Sequence, residues 1–181
     1  ADVDIAWLLG MLHDIGRFEQ IKRYNTFSDA DSVDHARFGA DLLFKDGLIS
    51  TFLKGMVKCT GYKPGALEDR YGSDGVFLYD RLNKSDMEML ELAIRCHNMY
   101  RIPQGLNRRE QAFCNVLRDA DKVDIFKVNI DTPLEEIYNT TTEELMKSDI
   151  TDEVLEAFGE EHCILKAIRR TPADTVIGHV S

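Results

Sequence analysis

His13 and Asp14 stand side by side at the end of the apolar run AWLLGMLHD, and Gly16 follows two residues later. An adjacent imidazole and carboxylate offer one nitrogen and one oxygen ligand to a divalent ion. Asp14 also poses an electrostatic problem. The run reads as a helix over about residues 4–13, closed by Gly16 at the C′ position. That puts a carboxylate at the negative end of the helix dipole, where it needs a compensating cation. A divalent metal would supply the charge.

Further candidate ligands lie on other expected helices. His35, Phe38, Gly39 and Leu42 follow i, i+3, i+4, i+7 spacing, placing His35 on the apolar face of a helix over about residues 32–44. Leu90, Ala93, Ile94 and His97 repeat that spacing in a helix over about residues 85–97, opened by a Ser85-x-x-Glu88 capping box. In REQAFCNVLRDADKVDIFKV the stripe runs through Phe113, Leu117, Ala120 and Asp124, with Asp121 at its edge. This helix is capped by Asn107, with Glu110 three residues on, and extends to about residue 128. Burying an uncompensated charge is costly, so inward carboxylates need a cation or a hydrogen-bond network. Helices that aim His and carboxylate side chains inward are how bundles build metal sites.

The elements around these residues are helical too. A helix is expected over about 48–59, and short ones around Glu135, Glu143 and Val154, the second opened by a Thr141/Glu144 capping box. Residues 61–84, with Pro64 and four glycines, read as one long irregular insertion, including the short apolar segment 76–79. The expectation is an all-α bundle with a metal site in its interior. At 181 residues and 44% hydrophobic, one domain is the default. A net charge of -10 disfavours an extended nucleic-acid surface but not a small phosphate ester held by metal ions. The longest apolar run is too short for a membrane span. Cys59, Cys96, Cys114 and Cys163 form no CxxC pair, which fits reduced thiols in the cytoplasm.

Several of these residues have a plain structural reading beside the functional one. Arg17 either complements a helix C-terminus or holds a phosphate, and Lys122 carries the same pair of readings. Asp121 could be a solvated edge residue, and Asp124 reads as a buried structural acid. Asp29, Asp31 and Asp34 read most simply as a solvated helix start. His162 and His179 show no partner pattern.

LLGMLHDIGR, SVDHARFGADLL, CHN and LRDADKVDIF, in that order, resemble the HD-domain phosphohydrolase superfamily over about residues 4–128. The resemblance implies a helical bundle in which His13, Asp14 and the downstream Asp121 hold a divalent ion. His35 and His97 match the additional histidines of two-metal members, where Asp14 would bridge both ions. The chain departs from the pattern in two respects. No histidine precedes His13, and the chain starts within an apolar helix, so the early histidine is expected before Ala1 in a longer chain. The apolar ending TVIGHVS suggests that the C-terminal helix is cut as well. Cyclic-dinucleotide phosphodiesterases of the superfamily carry His-His-Glu and Gly-Tyr-Pro signatures. Here Cys96-His97-Asn98 replaces the first, and Gly61-Tyr62-Lys63-Pro64 sits upstream of it.

Histidine and aspartate ligands suit one or two ions of Mn, Fe, Co, Ni or Zn better than Mg or Ca. The expected chemistry is hydrolysis of a small phosphate ester or nucleotide by metal-activated water, with Arg17 or Lys122 stabilising charge on phosphate oxygens. No P-loop is present. Two other readings use the same ligands: a di-iron site for oxygen chemistry, and a metal-stabilised signalling or binding module. The residues do not specify the substrate, the metal or the oligomeric state.

Overall fold

The structure, a computed structural model, describes residues 2–59, 82–138, 140–160 and 163–181. The segment 76–79, the Gly61–Pro64 motif and His162 lie outside the described residues, as does most of the expected insertion. Among the described residues every regular element is helical, so the all-α expectation holds. The chain divides into two compact units, residues 1–117 and 118–181.

The first unit contains α1 (Asp2–Leu12), α2 (Ile15–Tyr24), a 3-10 turn (Asp29–Asp31) and α3 (His35–Ala40), which runs on into a π-helical turn (Asp41–Lys45). It continues with α4 (Leu48–Cys59), α5 (Lys84–Cys96) and the beginning of α6 (Arg108–Asp131). Ile5, Leu8, Leu9 and Leu12 of α1 are buried against Leu90, Ala93 and Ile94 of α5, with Leu43 and Leu117 in the same core. The i, i+3, i+4 spacing places these side chains on one face of each helix, and their removal from water holds the unit together.

The local detail departs from the sequence reading at the ends of helices. α1 stops at Leu12, His13 and Asp14 form a turn, and α2 begins at once, where a helix end was expected. Gly16 is therefore no C′ cap. It lies within α2, where a Cβ would fall 2.2 Å from the His35 carbonyl oxygen and 2.8 Å from the Gly39 nitrogen. Glycine is required there so that α2 and α3 can touch backbone to backbone. α3 begins at His35 rather than Ser32, with the Asp34 side chain accepting from the Arg37 N–H at 3.1 Å as its cap. α5 is opened not by Ser85 and Glu88 but by Asn83 and Asp86, each of which accepts the other's backbone N–H. The Asn107/Glu110 box at the start of α6 forms as expected, with bonds of 3.0 and 2.9 Å.

The second unit comprises the remainder of α6, α7 (Leu134–Tyr138), α8 (Thr142–Lys147), α9 (Asp152–Gly159), a 3-10 turn (Lys166–Ile168) and α10 (Pro172–Val180). α7, α8 and α9 all pack on α10. The Thr141/Glu144 box opens α8 as expected. Asp174 is fully buried, and its carboxylate accepts backbone N–H bonds from Thr151, Arg170 and Thr171 at 2.8, 2.8 and 3.1 Å. Those bonds hold its carboxyl below the usual range despite burial, which acts the other way. Ala120 and Asp124 are exposed, so the buried stripe of α6 ends at Leu117. The reading of Asp124 as a buried structural acid is corrected accordingly. No helix among the described residues is long and apolar enough to cross a membrane.

Candidate metal centre

His13 lies in the turn after α1, where the chain has not yet left the helix axis. Its Nδ1 donates to the Gly10 carbonyl at 2.9 Å, one helical turn back, which fixes the ring against α1. Asp14 follows at the head of α2, whose positive dipole end favours a carboxylate. The tight turn thus reverses the electrostatics expected for Asp14: it opens a helix instead of closing one. The close crossing at Gly16 and Gly39 brings the first residue of α3, His35, beside it. His97 caps the C-terminal end of α5, where its Nδ1 donates to the Ile94 carbonyl at 2.7 Å.

Four of the expected ligands come together in the first unit. The Asp14 Oδ1 lies 3.3 Å from His35 Nε2 and 3.5 Å from His97 Nε2, while Oδ2 lies 3.7 Å from His13 Nε2. The imidazoles of His13 and His35 each meet His97 edge-on, with ring centroids 5.1 and 5.0 Å apart. Candidate ligand atoms of His13, Asp14 and His97 all lie within 4.8 Å of one another, close enough to share one ion. His35 and His97 are buried. The Asp14 side chain is 45% exposed, yet its Oδ1 is shielded from solvent and has no well-aligned hydrogen bond.

No family model, curated protein or solved structure matches this chain.

The ring orientations carry chemical information. A carbonyl or carboxylate faces Nδ1 of each of the three histidines, so each Nδ1 bears the proton and each Nε2 points into the cluster. The Nε2 atoms of His35 and His97 are only 3.1 Å apart. At that distance one of the two rings carries a second proton, on Nε2, and donates to the other, or a cation stands between the two lone pairs. Asp14, with a buried unbonded oxygen, asks for the same cation. Burial acts to raise the Asp14 carboxyl, but the neighbouring imidazoles of His35 and His97, with His13, hold it well below the usual carboxylate range. Burial likewise acts to lower His35, and the carboxylates of Asp14 and Asp29 carry it above its ordinary value.

Asp29 is a residue that the sequence reading assigned elsewhere. Instead of a solvated helix start, it sits with both oxygens 2.8 Å from His35 Nδ1. Gln20 and Arg17 donate to its Oδ1 at 2.9 and 3.1 Å, and Asn98 donates to its Oδ2 at 3.3 Å. No local signal marks it, because its partner is six residues away and its braces come from other segments.

Arg17 donates from Nη1 to the Phe27 carbonyl, to Gln20 and to Asp29, and its Nε lies 3.7 Å from Asp14 Oδ1. Its cation therefore stands beside the cluster. The other two expected site residues, Asp121 and Lys122, belong to the second unit. Asp121 is half-buried on α6, and Lys122 donates to the Cys163 sulfur at 2.8 Å and to the Ser181 carbonyl.

Proposed function

We propose that the protein is a metal-dependent phosphohydrolase of the HD-domain type, acting on a small phosphate ester or nucleotide. The observation that carries this reading is the convergence of three Nε2 atoms on the Asp14 carboxylate, each ring fixed from behind at Nδ1. Such a donor set, nitrogen-rich with one carboxylate, fits Mn, Fe, Co, Ni or Zn. When bound, one or two such ions would lower the pKa of a coordinated water from 15.7 to about 7, making hydroxide available to attack phosphorus at neutral pH.

The chain's own residues have separable tasks in this reading. With an ion bound, His13, His35 and His97 would present unprotonated Nε2 atoms, and Asp14 would supply the negative ligand. In the family pattern the downstream carboxylate is Asp121, which belongs to the second unit. Arg17 places positive charge beside Asp14, where phosphate oxygens would gain from it. Lys122 already donates to Cys163 and Ser181, which favours the structural one of its two readings. The scattered spacing of Cys59, Cys96, Cys114 and Cys163 in the sequence, without a CxxC pair, favours a cytoplasmic setting.

The test is phosphate release from a panel of phosphomonoesters, phosphodiesters and nucleotides, with the protein loaded with Mn(II) or Co(II). Turnover that disappears in Asp14→Ala supports the reading. Oxygen consumption by the iron-loaded protein would favour the di-iron alternative, and tight metal binding with neither activity a binding module.

A further inference from the structure

We propose that Asp29 is the positioning carboxylate of this centre: it locks the His35 ring so that Nε2 faces Asp14 and His97. The proposal rests on the metal-site reading above and assigns a role to a residue outside the ligand set. Asp29 comes from the 3-10 turn between α2 and α3, and its two oxygens lie equally close to His35 Nδ1, at 2.8 Å. An imidazole that donates Nδ1–H to a carboxylate is held in one tautomer and one orientation, and its Nε2 becomes a more basic ligand.

Helix capping does not account for this carboxylate. Asp34 caps α3, and Asp31 is the exposed acid of the turn, whereas Asp29 is spent entirely on side chains. Those side chains tie it to each segment of the cluster. Gln20, fully buried on α2, bridges Asp29 to the Ser32 hydroxyl at 2.8 Å and the Val33 carbonyl at 3.0 Å, fixing the loop that leads into His35. Arg17 links Asp29 back toward Asp14. Asn98, which follows His97 directly, donates to both Asp29 and the α3 cap Asp34, at 3.3 and 3.0 Å. One carboxylate thus couples the orientation of His35 to the segments carrying Asp14 and His97.

Co(II) binding to the full chain tests this, measured by titration and by the visible spectrum of the bound ion. Asp29→Asn, an isosteric change, should weaken Co(II) binding by about 10- to 100-fold and alter the spectrum. In a His35→Ala background the same change should cost less than about 2-fold, because the effect runs through His35. Parental affinity in Asp29→Asn, or an undiminished loss in the His35→Ala background, would overturn the proposal. Should the parent bind no Co(II), the metal reading itself fails, and the 15N shifts of His35 in the metal-free protein at alkaline pH decide the role of Asp29. They should report a single Nδ1–H tautomer in the parent and a mixture in Asp29→Asn, and an unchanged tautomer would refute it. Should Asp29→Asn lose its helical circular dichroism, Asn98→Ala removes one brace and should weaken Co(II) binding by about 2- to 5-fold; no change there would equally refute it.

Discussion

At the scale of single residues, the centre is defined by which nitrogen of each histidine is already spoken for. Gly10, Ile94 and Asp29 take the three Nδ1 protons, and the Nε2 atoms lie beside the Asp14 carboxylate. In the metal-free protein, the charge between Asp14 and His97 falls to a proton on His35, whose pKa stands above its ordinary value. A group raised on folding stabilises the folded state fully below its unfolded value of about 6.5, and that stability is lost as pH rises through the folded value. The melting temperature of the metal-free protein should therefore decline from mildly acidic to alkaline pH, and calorimetry should find the decline reduced in Asp14→Asn. At the other end of the range of burial, Asp124 is exposed, so Asp124→Asn should change stability by no more than about 0.5 kcal/mol in denaturant unfolding. The His-Asp pair and the inward histidines were legible in the sequence because residue type and helical spacing are local signals. Asp29 was not, since its role depends on a ring six residues away and on Gln20 and Asn98 from other segments.

At the scale of elements, the capping boxes of α6 and α8 were legible, as were the apolar faces of α1 and α5, since each is written within one or two turns of chain. α2 was hidden for a physical reason. Its exposed face carries Glu19, Lys22 and Arg23, and only Gly16 and Gln20 are buried, so no apolar stripe announces it. Gly16, which resembles a helix stop, serves instead the backbone contact with α3. Gly16→Ala would drive a Cβ into the His35 carbonyl and the Gly39 nitrogen, neither of which is the yielding tip of a side chain. It should cost about 1–3 kcal/mol as overpacking does, and it should displace His35 enough to weaken metal binding in the same variant. In the second unit, Asp174→Ala would leave the backbone N–H groups of Thr151, Arg170 and Thr171 without their acceptor. With bonds to a charged group worth about 1.5–3 kcal/mol each, denaturant unfolding should show a loss of at least that size.

At the scale of the whole molecule, the chain is all-helical among its described residues and divides into two compact units, where the composition alone suggested one domain. The acidic excess, 32 Asp and Glu against 22 Lys and Arg, attracts any divalent cation weakly and without selectivity. A site built from imidazoles behaves differently, because nitrogen ligands favour Co(II) or Zn(II) over Mg(II). Elemental analysis and Co(II) titration of the parent and of Asp14→Ala, in the presence of excess Mg(II), therefore test the central claim most directly. The parent should hold about one or two equivalents of Co(II), retained against Mg(II), with a clear loss in Asp14→Ala. Co(II) displaced by Mg(II), or the same metal content in both proteins, would contradict that claim.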